Sequence, residues 1–193
     1  PRSPDQGAYM SDIVERAKAV ENKLVDPSVD NMLKITSDAR KAALDYRLIN
    51  PSGIMEEGTK LPVCSDSIVK IYNQSEKDRG TQLVFCDLSI PLNQKGSQSK
   101  EVLGLLKQAE SGDTKALEKV NMLSHDEREL ALSSNSKFSV YDEMKKLLIE
   151  RGIPSSEIAF IHDYNTDKRK NALFMSVNSG DIRILIGSTQ KMG

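Results

Sequence analysis

The chain has 193 residues, with 27 Lys and Arg against 28 Asp and Glu and a net charge of −1. That length gives one domain of ordinary size, or one domain with an appendage, and room for a real core. Balanced charge excludes a nucleic-acid binder that is polybasic throughout, so any anion site must be local.

The first element reads as a helix. Met10, Ile13, Val14, Ala17, Val20 and Leu24 recur at spacings of three and four, one face of an amphipathic helix, and Pro27 stops it. The spacing then suggests a short strand over 33–36, a cap at Ser37 or Asp38, and a helix over 39–48. A loop follows through "NPSGIMEEGTKLP". Residues 1–60 are thus expected to be a helical lead-in, and 61–193 the main domain.

From Cys64 a capped helix is expected to run to Gly80. Leu83, Val84, Phe85 and Cys86 form a continuous apolar run, which predicts a strand covered on both faces with Phe85 in the core. Residues 93–137 read as an insertion. Its flanks "NQKGSQSK" and "SSNSK" are linker-like, helices are expected at 102–109 and 114–122, and His125 is expected to be exposed. A partly mobile lid or spacer is the expectation there.

The regular pattern resumes at 138. Ser139 and Asp142 have capping-box spacing, while Tyr141, Met144, Leu147 and Leu148 line one helical face that Gly152 and Pro154 terminate. "EIAFIHD" predicts a strand opening onto His162 and Asp163. Thr166 is placed to cap a helix with Leu173, Phe174 and Val177 facing inward and Gly180 at its end, and "DIRILIG" predicts a last strand. Strands alternating with helices imply a parallel sheet covered by helices on both faces. Ligands of such sheets gather at the carboxyl ends of the strands. Three loops leave those ends: "DLSIP", "HDYNT" and "GSTQKMG".

Those loops make a polar rim. Ser188, Thr189 and Gln190 are neutral donors and Lys191 is a point cation. The helix start at Thr166, with His162, Lys168 and Arg169, adds backbone donors and positive charge. The set suits a phosphate chain better than a metal or a small neutral substrate. Each residue also has a plain structural reading: His162 a loop histidine bonded to backbone, Asp87 a turn or cap, Lys168 to Lys170 a solvated face, Ser188 and Thr189 a simple turn. Cys64 and Cys86 lie in no CxxC or Cys-His pattern, which argues against a disulfide framework or zinc site and for Cys86 as a buried thiol. No apolar run approaches the roughly 20 residues of a membrane span. With no secretory leader visible in "PRSPDQGAYMSD", a cytoplasmic protein is expected.

From about Cys64 to Gly193 the order of elements, with "LVFCDLS", "YDEMKKLLIERGI" and "ILIGSTQKMG", resembles the C-terminal RecA-like lobe of superfamily-two helicases of the Swi/Snf-like type. It is most similar to the helicase part of large bacterial and phage DNA methylase–helicase proteins. "NMLKITSDARKAALDYRLI" also looks like the stretch before that lobe. In the family "LVFCDLS" is motif IV, carrying Asp87 and Ser89. "GSTQKMG" is motif V, with Gln190 and Gly193, and continues as STQKMGxGxN toward an arginine-rich motif VI. The resemblance therefore implies a RecA-like parallel sheet truncated at its C-terminal end, and a piece of a longer polypeptide that stops inside motif V. An edge strand left by such truncation could pair between copies.

The resemblance implies a function as well. The chain would be the second motor lobe of an ATP-dependent DNA translocase or helicase. Ser188, Thr189, Lys191, His162 and Arg169 would hold the DNA backbone. ATP and magnesium would be bound by the N-terminal lobe of the same polypeptide and the site completed from across the cleft. The intact protein would be a hydrolase, with a methyltransferase on the same chain. Asp163 departs from the family, standing where a glycine is usual. No GxxxxGK[ST], no DExH-like pair and no glycine-rich cofactor loop occurs, so this chain alone is not expected to turn over ATP. The alternative is a non-catalytic lobe that binds nucleic acid or protein, since sites rather than folds carry function.

Overall fold

The structure is a computed structural model that describes residues 4–27, 29–55, 57–89, 98–123, 127–128 and 138–192. It begins with α1 (Pro4–Glu21) and α2 (Met32–Leu44). Lys23, at a φ of 55°, turns the chain out of α1 ahead of Pro27. Leu24 therefore falls outside the helix and lies 77% exposed, contrary to the apolar-face expectation. The expected strand at 33–36 is the first turns of α2. Asn31, not Ser37 or Asp38, is its cap, its side chain accepting from the Lys34 amide at 3.0 Å. A capped start and a buried stripe of Ile35 and Ala42 outweigh the weak β preference of Ile35 and Thr36.

Arg16 clamps these two helices. Its guanidinium reaches both oxygens of Asp30, at 2.6 and 2.9 Å, and Asp38 at 3.0 Å. After α2, Asp45 caps a 3₁₀ turn at Tyr46–Leu48. Arg47 of that turn pairs with Asp45 at 2.8 Å and Glu143 at 3.0 Å, tying the lead-in to the main domain. Burial opposes the charge on Arg47, but its hydrogen bonds to Asp45 and Glu143 prevail and raise its pKa.

α3 (Lys60–Gln74) begins four residues before Cys64 and ends six before Gly80. Pro62 sits in its first turn, where no intrahelical amide bond is lost. β1 (Gln82–Phe85) follows. In the insertion, α4 (Gln98–Glu110) and α5 (Thr114–Met122) match the two expected helices. They pack on each other through Leu106, Ala109, Ala116 and Val120, and on Leu33 of α2. Asn31 reinforces the join by donating to the Glu110 carbonyl at 2.6 Å. The two helices of the insertion thus dock on the lead-in. His125 lies outside the described residues.

The remaining elements are α6 (Val140–Glu150), β2 (Ile158–Phe160), α7 (Asp167–Asn178), β3 (Ile184–Gly187) and the single turn α8 (Thr189–Met192). Gly152 and Gly180 end α6 and α7 in left-handed conformations, φ +95° and +77°, as expected of C-terminal stops. The strands form a parallel sheet of order β1-β3-β2, with Phe85 opposite Gly187 and Phe160 opposite Ile186. The fold is mixed α/β.

Alternation of side chains divides the core. On one face Val84, Ile158, Phe160, Ile184 and Ile186 meet Leu61 and Ile68 of α3 and Val140, Met144, Leu147 and Leu148 of α6. On the other, Ala159, Ile161 and Leu185 meet Leu173 and Val177 of α7. Among the described residues, that second face is covered over β2 and β3 only. Leu83 and Phe85 of β1, on the same face, are each 53% exposed, so β1 is not covered on both faces and Phe85 is not core. Phe174 likewise is 39% exposed rather than facing in.

Candidate nucleic-acid interface

Parallel pairing in register sets the carboxyl ends of all three strands along one edge. The loops at Asp87–Ser89, at 161–166 and from Ser188 onward leave that edge side by side. The motif-like loops are joined directly. Asp87 accepts from the Thr189 amide at 2.7 Å with one oxygen and from the Thr189 hydroxyl at 3.0 Å with the other. Asp87 is therefore a cap for the turn that follows β3, supplied by the neighbouring strand, which is the plain reading of it. A carboxylate here holds the two donors of Thr189 that a phosphate oxygen would use.

Ser89 has its own structural task. It is 3% exposed, takes a φ of 57°, and its hydroxyl accepts from the Val140 amide at 3.0 Å. Ser139 caps the Asp142 amide at 3.3 Å, so two serines close the amino end of α6. Tyr141 of the same turn donates to the Cys86 carbonyl and fixes the exit of β1.

The expected contacts divide by exposure. Thr189, Gln190 and Lys191 are exposed on α8, and Lys168 and Arg169 are exposed at the start of α7. Thr166 caps that helix through the Arg169 amide at 3.4 Å, and the Arg169 guanidinium lies 5.6 Å from the Tyr164 ring centre. Ser188 and His162 are not on the surface: they are 0% and 4% exposed. Ser188 instead carries α8, its carbonyl accepting from the amides of Lys191 and Met192 at 3.1 Å. The His162 ring packs edge-on against Tyr141, 5.3 Å between centres, within a 3₁₀ turn at Ile161–Asp163. Asp163 does not need a glycine's conformation, since its φ is not positive. Gly193 lies outside the described residues.

Gly187 is the closest approach in this region. A Cβ there would stand 2.4 Å from Ile161 and 2.8 Å from Met192, so only glycine lets α8 fold back over the sheet edge. At the opposite edge lies a polar cluster that the sequence reading did not pick out. Arg183 is 1% exposed and donates to the Tyr72 carbonyl at 2.6 Å, the Ser75 hydroxyl at 3.1 Å and the Gly80 carbonyl at 3.2 Å. Its guanidinium lies 3.8 Å from the Tyr72 ring centre, and Tyr72 in turn donates to Glu157, which Arg79 also meets at 3.1 Å. The one signal for it was an arginine inside an apolar strand.

Cys86 is half-buried and its thiol lies against the Leu88 carbonyl at 3.2 Å, while Cys64 is exposed. A cavity of about 400 Å³ opens between them, lined by Leu61, Val63, Val84, Phe85, Tyr141 and Met144 among others. Among the described residues no cluster of His, Cys, Asp and Glu could hold a metal ion, and no helix is long and apolar enough to cross a membrane. Comparison of the chain with protein-family models, curated proteins and solved structures finds no match.

Proposed function

We propose that this chain is a RecA-like second lobe of an ATP-dependent DNA translocase or helicase, belonging to a methylase–helicase type of polypeptide. The observation that carries the reading is the bond between Asp87 and Thr189, which links the loops after β1 and β3 at the carboxyl edge of a parallel sheet. Strand order β1-β3-β2 brings the third loop alongside. Exposed Lys191, Lys168 and Arg169 supply cationic contacts to a phosphate backbone from two of the three loops. ATP and magnesium belong to the partner lobe, and this lobe closes the cleft over them.

A second reading, a lobe that binds without turnover, draws on a different observation. Ser188 and His162 are withdrawn from the surface. The motor reading, and the second reading in its nucleic-acid form, predict binding to nucleic acid through Lys191. Fluorescence anisotropy of a labelled duplex, titrated with the chain at several salt concentrations, tests this. Lys191→Ala should weaken binding and reduce the salt slope by about one. No binding at low salt would remove the motor reading and leave only a lobe that binds protein. To separate them, the chain is added to a polypeptide carrying a P-loop lobe of the same type. DNA-stimulated ATP turnover that Lys191→Ala lowers supports the motor, and binding without stimulation supports the scaffold.

A further inference from the structure

We infer that the free edge of β1 is a self-pairing surface, at which two copies of this chain join their sheets through antiparallel β1 strands related by a two-fold axis at Val84. This inference is independent of the functional reading above.

The backbone provides the first argument. The amides of Gln82 and Cys86 donate to Arg183 and Gly187 carbonyls of β3, at 2.8 Å each. In a parallel ladder alternate residues point the other way, so the amides and carbonyls of Leu83 and Phe85 face outward. Among the described residues nothing pairs with them. An antiparallel copy centred on Val84 sets Leu83 opposite Phe85 of the second chain, and Phe85 opposite its Leu83. Each such pair exchanges two hydrogen bonds, so four form.

Side chains select the same register. Leu83 and Phe85 share a sheet face, and each is 53% exposed. The pairing places an aromatic against an aliphatic side chain twice, a favourable cross-strand combination. A slip of one residue would oppose an outward-facing amide to one already bonded within its own sheet. Residues 81–86 contain no charge, proline or glycine, the devices that usually protect an exposed edge. The lining of the cavity joins Phe85 to Val63, itself 48% exposed, so an apolar strip continues beside the strand.

Size sets the strength. Four residues of strand span about 13 Å, so the paired edge is small, short of the roughly 1,000 Å² typical of a specific interface. The dimer should therefore be weak, with a dissociation constant on the order of 10–100 µM.

Sedimentation equilibrium of the chain from about 5 to 500 µM tests the proposal across that range. The mean mass should rise from one chain toward two and stop there. Leu83→Lys and Phe85→Lys should each hold the chain at one copy. Both sites are half-exposed, and unchanged helical circular dichroism would show that the fold is intact. Met175→Lys, at a 72% exposed site on α7, should leave the dimer as it was. A single copy of the wild type at every concentration overturns the proposal. So does association that survives both edge variants, continues beyond two chains, or is lost equally in Met175→Lys.

Discussion

Arg183 shows how much one side chain can decide. It is an arginine in a buried position, tolerated because three acceptors and an aromatic face meet its guanidinium. Those acceptors belong to the end of α3 and the approach to β1, so Arg183 fastens the two ends of the first helix–strand unit to β3. Arg183→Ala would leave the half-buried carbonyls of Tyr72 and Gly80 without that donor. The expected loss is about 3 kcal/mol, read as a lower urea midpoint with an unchanged slope. Little of this was legible beforehand. "DIRILIG" identifies a strand, but the partners of Arg183 lie more than 100 residues away in sequence, and no local pattern encodes such a meeting. The burial of Ser188 and His162 was not legible for a related reason. A polar residue just past a strand is exposed or buried according to whether the chain folds back over it, and here α8 and Tyr141 do so.

At the scale of elements, local chemistry was a better guide. Ser139, Thr166, Gly152 and Gly180 were legible as caps and stops because each acts within a turn of its own position. The start of α2 was not legible, since Ile35 and Thr36 have a local preference for strand and the cap at Asn31 lies ahead of them. Joints between elements were not legible at all, and the clamp of Arg16 on α1 is one. The hydrogen bonds from Arg16 hold the Asp30 carboxyl below its ordinary pKa. A carboxyl with a depressed pKa in the folded chain contributes stability above the unfolded value, near 3.9. That contribution is lost as pH falls through the folded value. Thermal melts between about pH 6 and 2.5 should therefore show a decline that begins near pH 4. Asp30→Asn should be less stable than wild type at pH 6, with the difference shrinking toward the acid end. Curves that stay parallel throughout would show that Asp30 contributes nothing to the acid transition.

For the whole molecule, the two helices of the insertion are more than a spacer. α4 and α5 were legible as helices, but their docking on α2 was not, because Leu33 meets residues more than 60 positions away in sequence. Val120 is 0% exposed at that junction. Val120→Ala should cost about 2 kcal/mol, and the loss should be regional. Hydrogen exchange would report faster exchange, by a factor of ten or more, for amides of α4, α5 and α2. Amides of β3 should keep their protection. Uniform acceleration across the sheet would instead mean that the helical layer and the sheet unfold as one unit.

The strand order also has a consequence in time. β3 lies between β1 and β2, yet it is the last of the three to be synthesised. Until residues 184–187 leave the ribosome, neither earlier strand has a partner among the described residues, whereas α1, α2, α4 and α5 can assemble as soon as they emerge. The nascent chain would carry a finished helical layer and two waiting strands, one of them the uncharged β1, and then close its sheet in one late step across about a hundred residues. During that interval chaperones would be expected to bind at 81–86.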